Sequence, residues 1–209
     1  MKIKNESRTT KILAISGSLR IASSNTALLR AASKLVPEGV EITVYDELGN
    51  LPLFNPDLEG TEPPSVTDFR ARLRASDGVL IASPEYAHGV TGVIKNALDW
   101  VVGGEEFVNK PVALLNASPR ATHAQASLTE TITVMSARIV AEASITVPLL
   151  GKNLDAAGIV SHSEIASALR AAIVAFARAI ESCRADVSML SGNNVGLNLT
   201  TPVRGIRHE

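Results

Sequence analysis

Aromatic side chains are scarce in this chain, 3% of residues against 45% hydrophobic overall, so Ala, Val, Ile and Leu must carry its core. Cysteine is nearly absent. Cys183 stands alone, which leaves no internal disulfide and excludes a disulfide-stapled secreted domain. Neither charge is in excess: the net charge of -1 gives no pull toward nucleic acid or a membrane surface. No apolar run approaches the ~20 residues that cross a bilayer. Met1 to Thr10 is polar and lacks the apolar centre of a signal peptide. These absences together predict a soluble cytoplasmic protein with no nucleic-acid and no membrane partner.

What is present is an alternation of short apolar runs and helical patterns along 209 residues, a length that suits one domain, 1–209. Lys11 to Ser16, Gly78 to Ser83 and Pro111 to Ser118 are almost wholly apolar, as strands covered on both faces are. Val40 to Tyr45 alternates with polar residues and reads as a strand nearer an edge. A fifth strand is expected within Arg138 to Leu150, its pairing ending before Pro148.

Helices are predicted after a cap at Asn25, over Ser65 to Ala75, on the Val93, Ala97, Trp100 and Val101 face, and over His123 to Ala137. The last begins at the capping-box spacing Ser161 to Glu164 and carries the stripe Ile165, Leu169, Ile173, Phe176 and Ile180. Asp46 to Pro64 is rich in turn formers and reads as a long loop. Ser191-Gly192-Asn193-Asn194 carries turn chemistry within a tail, after Arg184, expected to be loosely ordered or to pack on another subunit. Five alternations imply right-handed crossovers and a doubly wound α/β fold. The expected sheet is parallel, of order 2-1-3-4-5, sandwiched between two helix layers.

In that order the loops after strands one and three flank the crevice where ligands bind. The first loop crowds Ser16, Ser18, Ser23, Ser24 and Thr26 between a strand end and a helix start, with Arg20 beside them. Hydroxyls, one positive charge and free helix N–H groups suit a phosphate monoester. An ordinary polar loop with a helix cap has the same composition, and both readings stand at this point. The loop is neither a Walker A sequence nor a Gly-x-Gly-x-x-Gly fingerprint, which disfavours a nucleoside triphosphate or a Rossmann-bound NAD. The second loop, Ser83 to Thr91, combines the restraint of Pro84, the flat ring of Tyr86 and the freedom of Gly89. Such a loop can aim backbone groups at a planar heterocycle. Glu85 is either a base or a solvated carboxylate, and His88 lacks an acidic partner fixed by spacing. Lys95 and Asp99 pair locally on a helix, and Trp100 packs in the core or at an interface.

Taken together, the two loops resemble the NADPH-dependent FMN reductase family of flavodoxin-like proteins, which includes chromate, quinone and azo reductases. Gly17, Ser18, Arg20, Ser23 and Asn25 match its Gly-Ser-x-Arg-x-x-Ser-x-Asn motif. Ser83 to Tyr86, Lys95, Asn96, Asp99 and Trp100 match its Ser-Pro-Glu-Tyr-Asn and Leu-Lys-Asn-x-x-Asp-Trp motif. Leu51 to Asn55 is similar to the family's loop after strand two, and the resemblance covers about residues 10–182. The chain departs at Ala87, where Asn is usual, and at Thr91, where Pro is common. It departs again after strand four, where Arg120, His123 and Ala124 replace glycines.

The resemblance implies a flavodoxin-like FMN-binding domain and a ping-pong reductase. Electrons pass from NADPH (or NADH) through FMN to free flavin, a quinone or a similar small acceptor. It implies that Ser18, Arg20, Ser23, Asn25 and Thr26 hold the phosphate. Pro84, Glu85, Tyr86 and Ala87 frame the ring, with Ser118 beyond it. Arg120 is expected to meet the NADPH phosphate or an anionic acceptor. The cofactor carries the chemistry, so no catalytic side chain and no metal are assigned. A homodimer or homotetramer is implied. The alternative is a flavodoxin-like electron carrier or a non-catalytic flavin-binding sensor. The near-neutral charge argues against the carrier, while Ala87 and the altered loop give the sensor some weight.

Overall fold

The computed structural model describes residues 8–193, and side chains to residue 186. Five strands, β1 (Thr10–Ser16), β2 (Val40–Tyr45), β3 (Gly78–Ala82), β4 (Pro111–Leu115) and β5 (Arg138–Ile139), form one sheet. All pairs are parallel and the order is β2-β1-β3-β4-β5, as expected. The helices are α1 (Ser24–Lys34), α2 (Pro64–Ala75), α3 (Gly92–Asp99), α4 (Thr122–Val134), α5 (Ala156–Ser161) and α6 (Ser163–Asn193).

Strand residues alternate between two cores because successive side chains point to opposite faces of a sheet. Ile12, Ala14, Leu80, Ala82, Ala113 and Leu115 pack under α1, α5 and α6. Leu13, Ile15, Val79, Ile81, Val112 and Leu114 pack under α2, α3 and α4. Both faces of β3 are buried, which is why it reads as an unbroken apolar run. β2 lies at the edge and exposes Glu41 and Thr43.

Several boundaries differ from the sequence reading. Ser23, not Asn25, caps α1: its backbone is extended and its Oγ accepts from the Thr26 N–H. Asn25 lies inside the first turn, and either polar residue satisfies the same composition rule. The Ser161–Glu164 capping box does not form, because Ser161 ends α5 and α6 starts at Ser163. α5 is six residues long, too short to show a helical period, and is capped by Asp155. α6 keeps its expected stripe but continues to Asn193, so Ser191 and Gly192 are helical. Gly and Asn mark helix ends as well as turns, so the local signal was ambiguous. The tail expected to be loose after Arg184 is thus helical over 185–193, because the helix runs on past its apolar stripe, and its remainder from residue 194 lies outside the described residues. The long loop folds into two 3-10 turns, Leu48–Asn50 and Pro56–Leu58. Beyond β5 an isolated bridge, Asn116 to Thr146, extends the sheet's edge.

Candidate functional site

The sheet order reverses between β1 and β3, so the loops leaving these strands diverge and open a crevice at their carboxyl ends. Gly17 sets how closely the loops approach. A Cβ there would lie 2.3 Å from the Ser83 Oγ. The bare backbone permits two bonds: Gly17 N–H donates to the Ala82 carbonyl at 2.8 Å, and Thr91 Oγ1 donates to the Gly17 carbonyl at 2.7 Å. Thr91 also caps α3, its hydroxyl accepting from the Ile94 N–H. This buried hydroxyl therefore does what a proline at the same place cannot: it fastens the two loops together.

Above this junction lies a cleft of about 330 Å³. Ser18, Arg20, Ser23, Ser24 and Asn25 form its polar end. Pro84, Tyr86, Ala117, Ala121 and Leu150 supply flat and apolar surface. Asn25 is buried, and its amide oxygen has no hydrogen-bond partner among the described residues. Such orphans carry a cost that a ligand group can remove, and an amide can turn either end toward it. The start of α1 adds unpaired backbone N–H groups and a positive dipole end. Hydroxyls, a guanidinium, an unsatisfied amide and a helix start at one end, with flat apolar surface at the other, fit a phosphorylated planar heterocycle such as FMN.

The β3–α3 loop is built as a tight hairpin. Tyr86 and Gly89 exchange both backbone hydrogen bonds, at 3.1 and 3.0 Å. The two residues between them, Ala87 and His88, have φ of +50° and +59°. That is a type I′ turn, which glycine and asparagine favour. Tyr86 is left 60% exposed at the mouth of the cleft. Glu85 is committed elsewhere: its Oε2 accepts from the Ala124 N–H at 2.9 Å, in the first turn of α4. His88 stacks on His123 of α4, ring centroids 4.3 Å apart. The residues that replace glycine after β4 thus reach back to the β3–α3 loop, through the His123 ring and the Ala124 amide.

The cleft gathers Ser18, Arg20, Ser23, Asn25, Pro84, Glu85, Tyr86, Ser118 and Arg120 from the sequence expectation. Thr26 and Ala87 do not line it. The Thr26 hydroxyl is engaged with Ser16 Oγ at 2.7 Å, on the inner side of the loop, and Ala87 lies at the exposed hairpin tip. Ser83, Asn116, Ala117, Ala121 and Leu150 line it without having been singled out as site residues. Ser24 was visible as one more loop hydroxyl. Leu150 arrives from the segment after β5, where nothing in the local sequence signals a site. Among the described residues no cluster of His, Cys, Asp and Glu is arranged to hold a metal, and no helix is long and apolar enough to cross a membrane.

Comparison with known proteins agrees with this geometry. Residues 10–149 match the family pattern described as NADPH-dependent FMN reductase. The chain is 46% identical over 111 residues to an NAD(P)H-dependent FMN reductase of Pseudomonas aeruginosa, a match covering 52% of this chain and 60% of that protein. It is 44% identical over 112 residues to an NADPH:quinone oxidoreductase of Arabidopsis thaliana, covering 51% and 57% respectively. The matched stretch thus spans about 60% of the length of these curated relatives. Among solved structures it is similar to FerB of Paracoccus denitrificans, a flavoenzyme NAD(P)H:(acceptor) oxidoreductase. The TM-score is 0.68 at 29% identity, covering 83% of this chain and 98% of that one.

Proposed function

The chain belongs to the NADPH-dependent FMN reductase family, and from that premise we propose that the cleft holds FMN and that the protein passes electrons from NADPH or NADH to a small acceptor such as free flavin or a quinone. The observation that carries this is the cleft's two-ended chemistry: hydroxyls, an amide and a guanidinium on the first loop, flat apolar surface from the loops after β3 and β4 and from Leu150.

With FMN bound, Ser18, Ser23, Ser24 and Asn25 would hydrogen-bond its phosphate, and Arg20 would balance its charge. Thr26 supports them from behind through Ser16. Pro84, Tyr86 and Ala117 would frame the ring and shield it from water, and Ser118 would contribute a polar contact. Ala87 acts through its backbone, holding the hairpin that aims Tyr86. When bound, FMN supplies the two-electron redox chemistry. The residues around it supply binding and position, and Glu85, occupied by the start of α4, is not a base. Arg120 stands at the cleft with no ion-pair partner among the described residues, and it draws an anionic acceptor to the mouth.

The protein acts in the cytoplasm as a homodimer or homotetramer. Exposed Ile21, Leu53, Tyr86 and Leu150, on the loops at the cleft end of the sheet, are consistent with a second subunit beside the cofactor.

The visible absorption spectrum of the purified protein, taken before and after NADPH without oxygen, tests this reading. Flavin bands that bleach with NADPH are expected. Bands that survive NADPH but bleach with dithionite assign the protein to electron carriers or sensors instead. No flavin bands after FMN is added overturn the reading of the cleft.

A further inference from the structure

A second cavity, of about 440 Å³, lies on the other side of the first loop, between α1 and the segment leading into α5. It shares Arg20, Ala22, Ser23 and Ser24 with the flavin cleft, so a single stretch of chain separates the two. Its charge is positive. Arg20, Arg30 and Lys34 line it, against one carboxylate, Asp155. That carboxylate is spent as the cap of α5, its Oδ1 accepting from the Gly158 N–H at 2.7 Å. Arg30 and Lys34 stand one helical turn apart on α1 and reach the same side. Lys34 has no ion-pair partner among the described residues. Arg30 pairs with Asp46 at 3.2 Å, but both side chains are more than half exposed, so the pair contributes little and exchanges readily for a stronger anion. Ile21, wholly exposed, and Leu154 add apolar surface.

A roomy, cationic, partly apolar cavity next to a flavin site fits a ligand with a flat base and a dianionic phosphate. We propose that it seats the adenosine 2′-phosphate end of NADPH, with Arg30 and Lys34 as the residues that select NADPH over NADH. This deepens the function proposed above and rests on it. NADH lacks the 2′-phosphate and leaves the two cations without their ligand. Arginine beside a ribose is a general solution to binding that group. The adenylate half of a dinucleotide cofactor such as FAD would suit the same space, but it too lacks the 2′-phosphate. The experiment separates the two by that group alone.

The test is calorimetric titration of the FMN-loaded protein with 2′,5′-ADP and with 5′-AMP, which lacks only the 2′-phosphate, on wild type and on an Arg30→Ser/Lys34→Ser variant. Wild type is expected to prefer 2′,5′-ADP by about tenfold or more, the effect of one or two charge-assisted bonds. The variant, with unchanged circular dichroism and FMN content, loses that preference. In turnover its KM for NADPH rises about tenfold while its KM for NADH stays in place. Should the double variant fold poorly, Lys34→Ser alone is read in the same way. Equal affinity for the two nucleotides in wild type overturns the proposal, as does a preference that survives in the variant. If the protein oxidises neither NADPH nor NADH, the proposed oxidoreductase function fails, while the titration still decides the 2′-phosphate site.

Discussion

Ala87 is an L-residue in a left-handed conformation, at a turn that its neighbours close with two hydrogen bonds. Its Cβ crowds the following carbonyl there, at a cost of about 1–2 kcal/mol that glycine does not carry. Ala87→Gly is therefore expected to stabilise the protein by about 1 kcal/mol, after allowance for glycine's larger unfolded-state entropy. That corresponds to a melting temperature roughly 2–4 °C higher, read by differential scanning calorimetry on the apoprotein. Other single residues were only half legible in the sequence. Thr91 looked like a departure from a common proline, yet its hydroxyl joins the two site loops. Glu85 looked like a solvated carboxylate or a base. Its partner, the Ala124 N–H, lies 39 residues away, a distance over which no sequence period operates. The polar end of the cleft was legible for the opposite reason: Ser18, Arg20, Ser23, Ser24 and Asn25 lie close together in the chain.

At the scale of elements, α3 shows two uses of one helical spacing. Lys95 and Asp99 pair at 2.6 Å on the exposed side. Asn96 and Trp100, also four apart, face the long loop after β2. Asn96 donates to the Pro52 carbonyl at 2.9 Å and accepts from the Phe54 N–H at 2.8 Å, and Trp100 Nε1 donates to the same Pro52 carbonyl at 2.7 Å. Phe54 then packs edge-on against Trp100, ring centroids 5.2 Å apart. This is how a segment rich in proline and glycine is held without regular structure. Asn96→Ala removes both amide bonds and leaves the half-buried Phe54 N–H without its acceptor, while the Pro52 carbonyl keeps the Trp100 bond, so a loss of about 1–2 kcal/mol is expected. Amide exchange should accelerate at Phe54 before it does in β3, and uniform acceleration across the sheet would show that Asn96 is not a local anchor. The strands and the long helices were readable because burial on two faces or one stripe leaves a pattern of its own. α5 was not, since six residues give less than two turns, and β5 was not bounded because two paired residues carry no period.

Across the whole molecule, two carboxylates tie together elements that the chain order separates. Asp77 accepts from the Lys11 N–H at 2.8 Å and pairs with Arg8 and Arg184, joining the start of β1 to α6. Glu106, whose side chain is 0% exposed, receives Arg70 at 2.9 Å and Arg74 at 2.7 Å on one oxygen, joining α2 to the segment before β4. Burial pushes both carboxyls upward. At Asp77 the Arg184 and Lys11 hydrogen bonds, with the charges of Arg184 and Arg8, outweigh it. At Glu106 the Arg70 hydrogen bond, its own backbone N–H and the two guanidinium charges do the same. Both carboxyls therefore titrate below their ordinary values in the folded protein. The unfolded chain takes up these protons first, near pH 4. The stability they contribute is thus fully present above that pH and is lost as pH falls through the depressed folded values. Denaturant titrations repeated from pH 7 to pH 3 should show little change from these two groups down to about pH 5 and a steepening loss below about pH 4. Glu106→Gln should lower stability at pH 7 by about 2 kcal/mol, because Arg70 loses its nearer carboxylate in a largely buried place and keeps only Glu62, at 3.5 Å. It should also flatten the acid limb, since one group with a depressed value no longer takes up a proton on unfolding. An acid limb of unchanged slope in that variant would mean that Asp77 and the remaining carboxylates, not Glu106, set the acid sensitivity. Asp77→Asn would then be the substitution that flattens it.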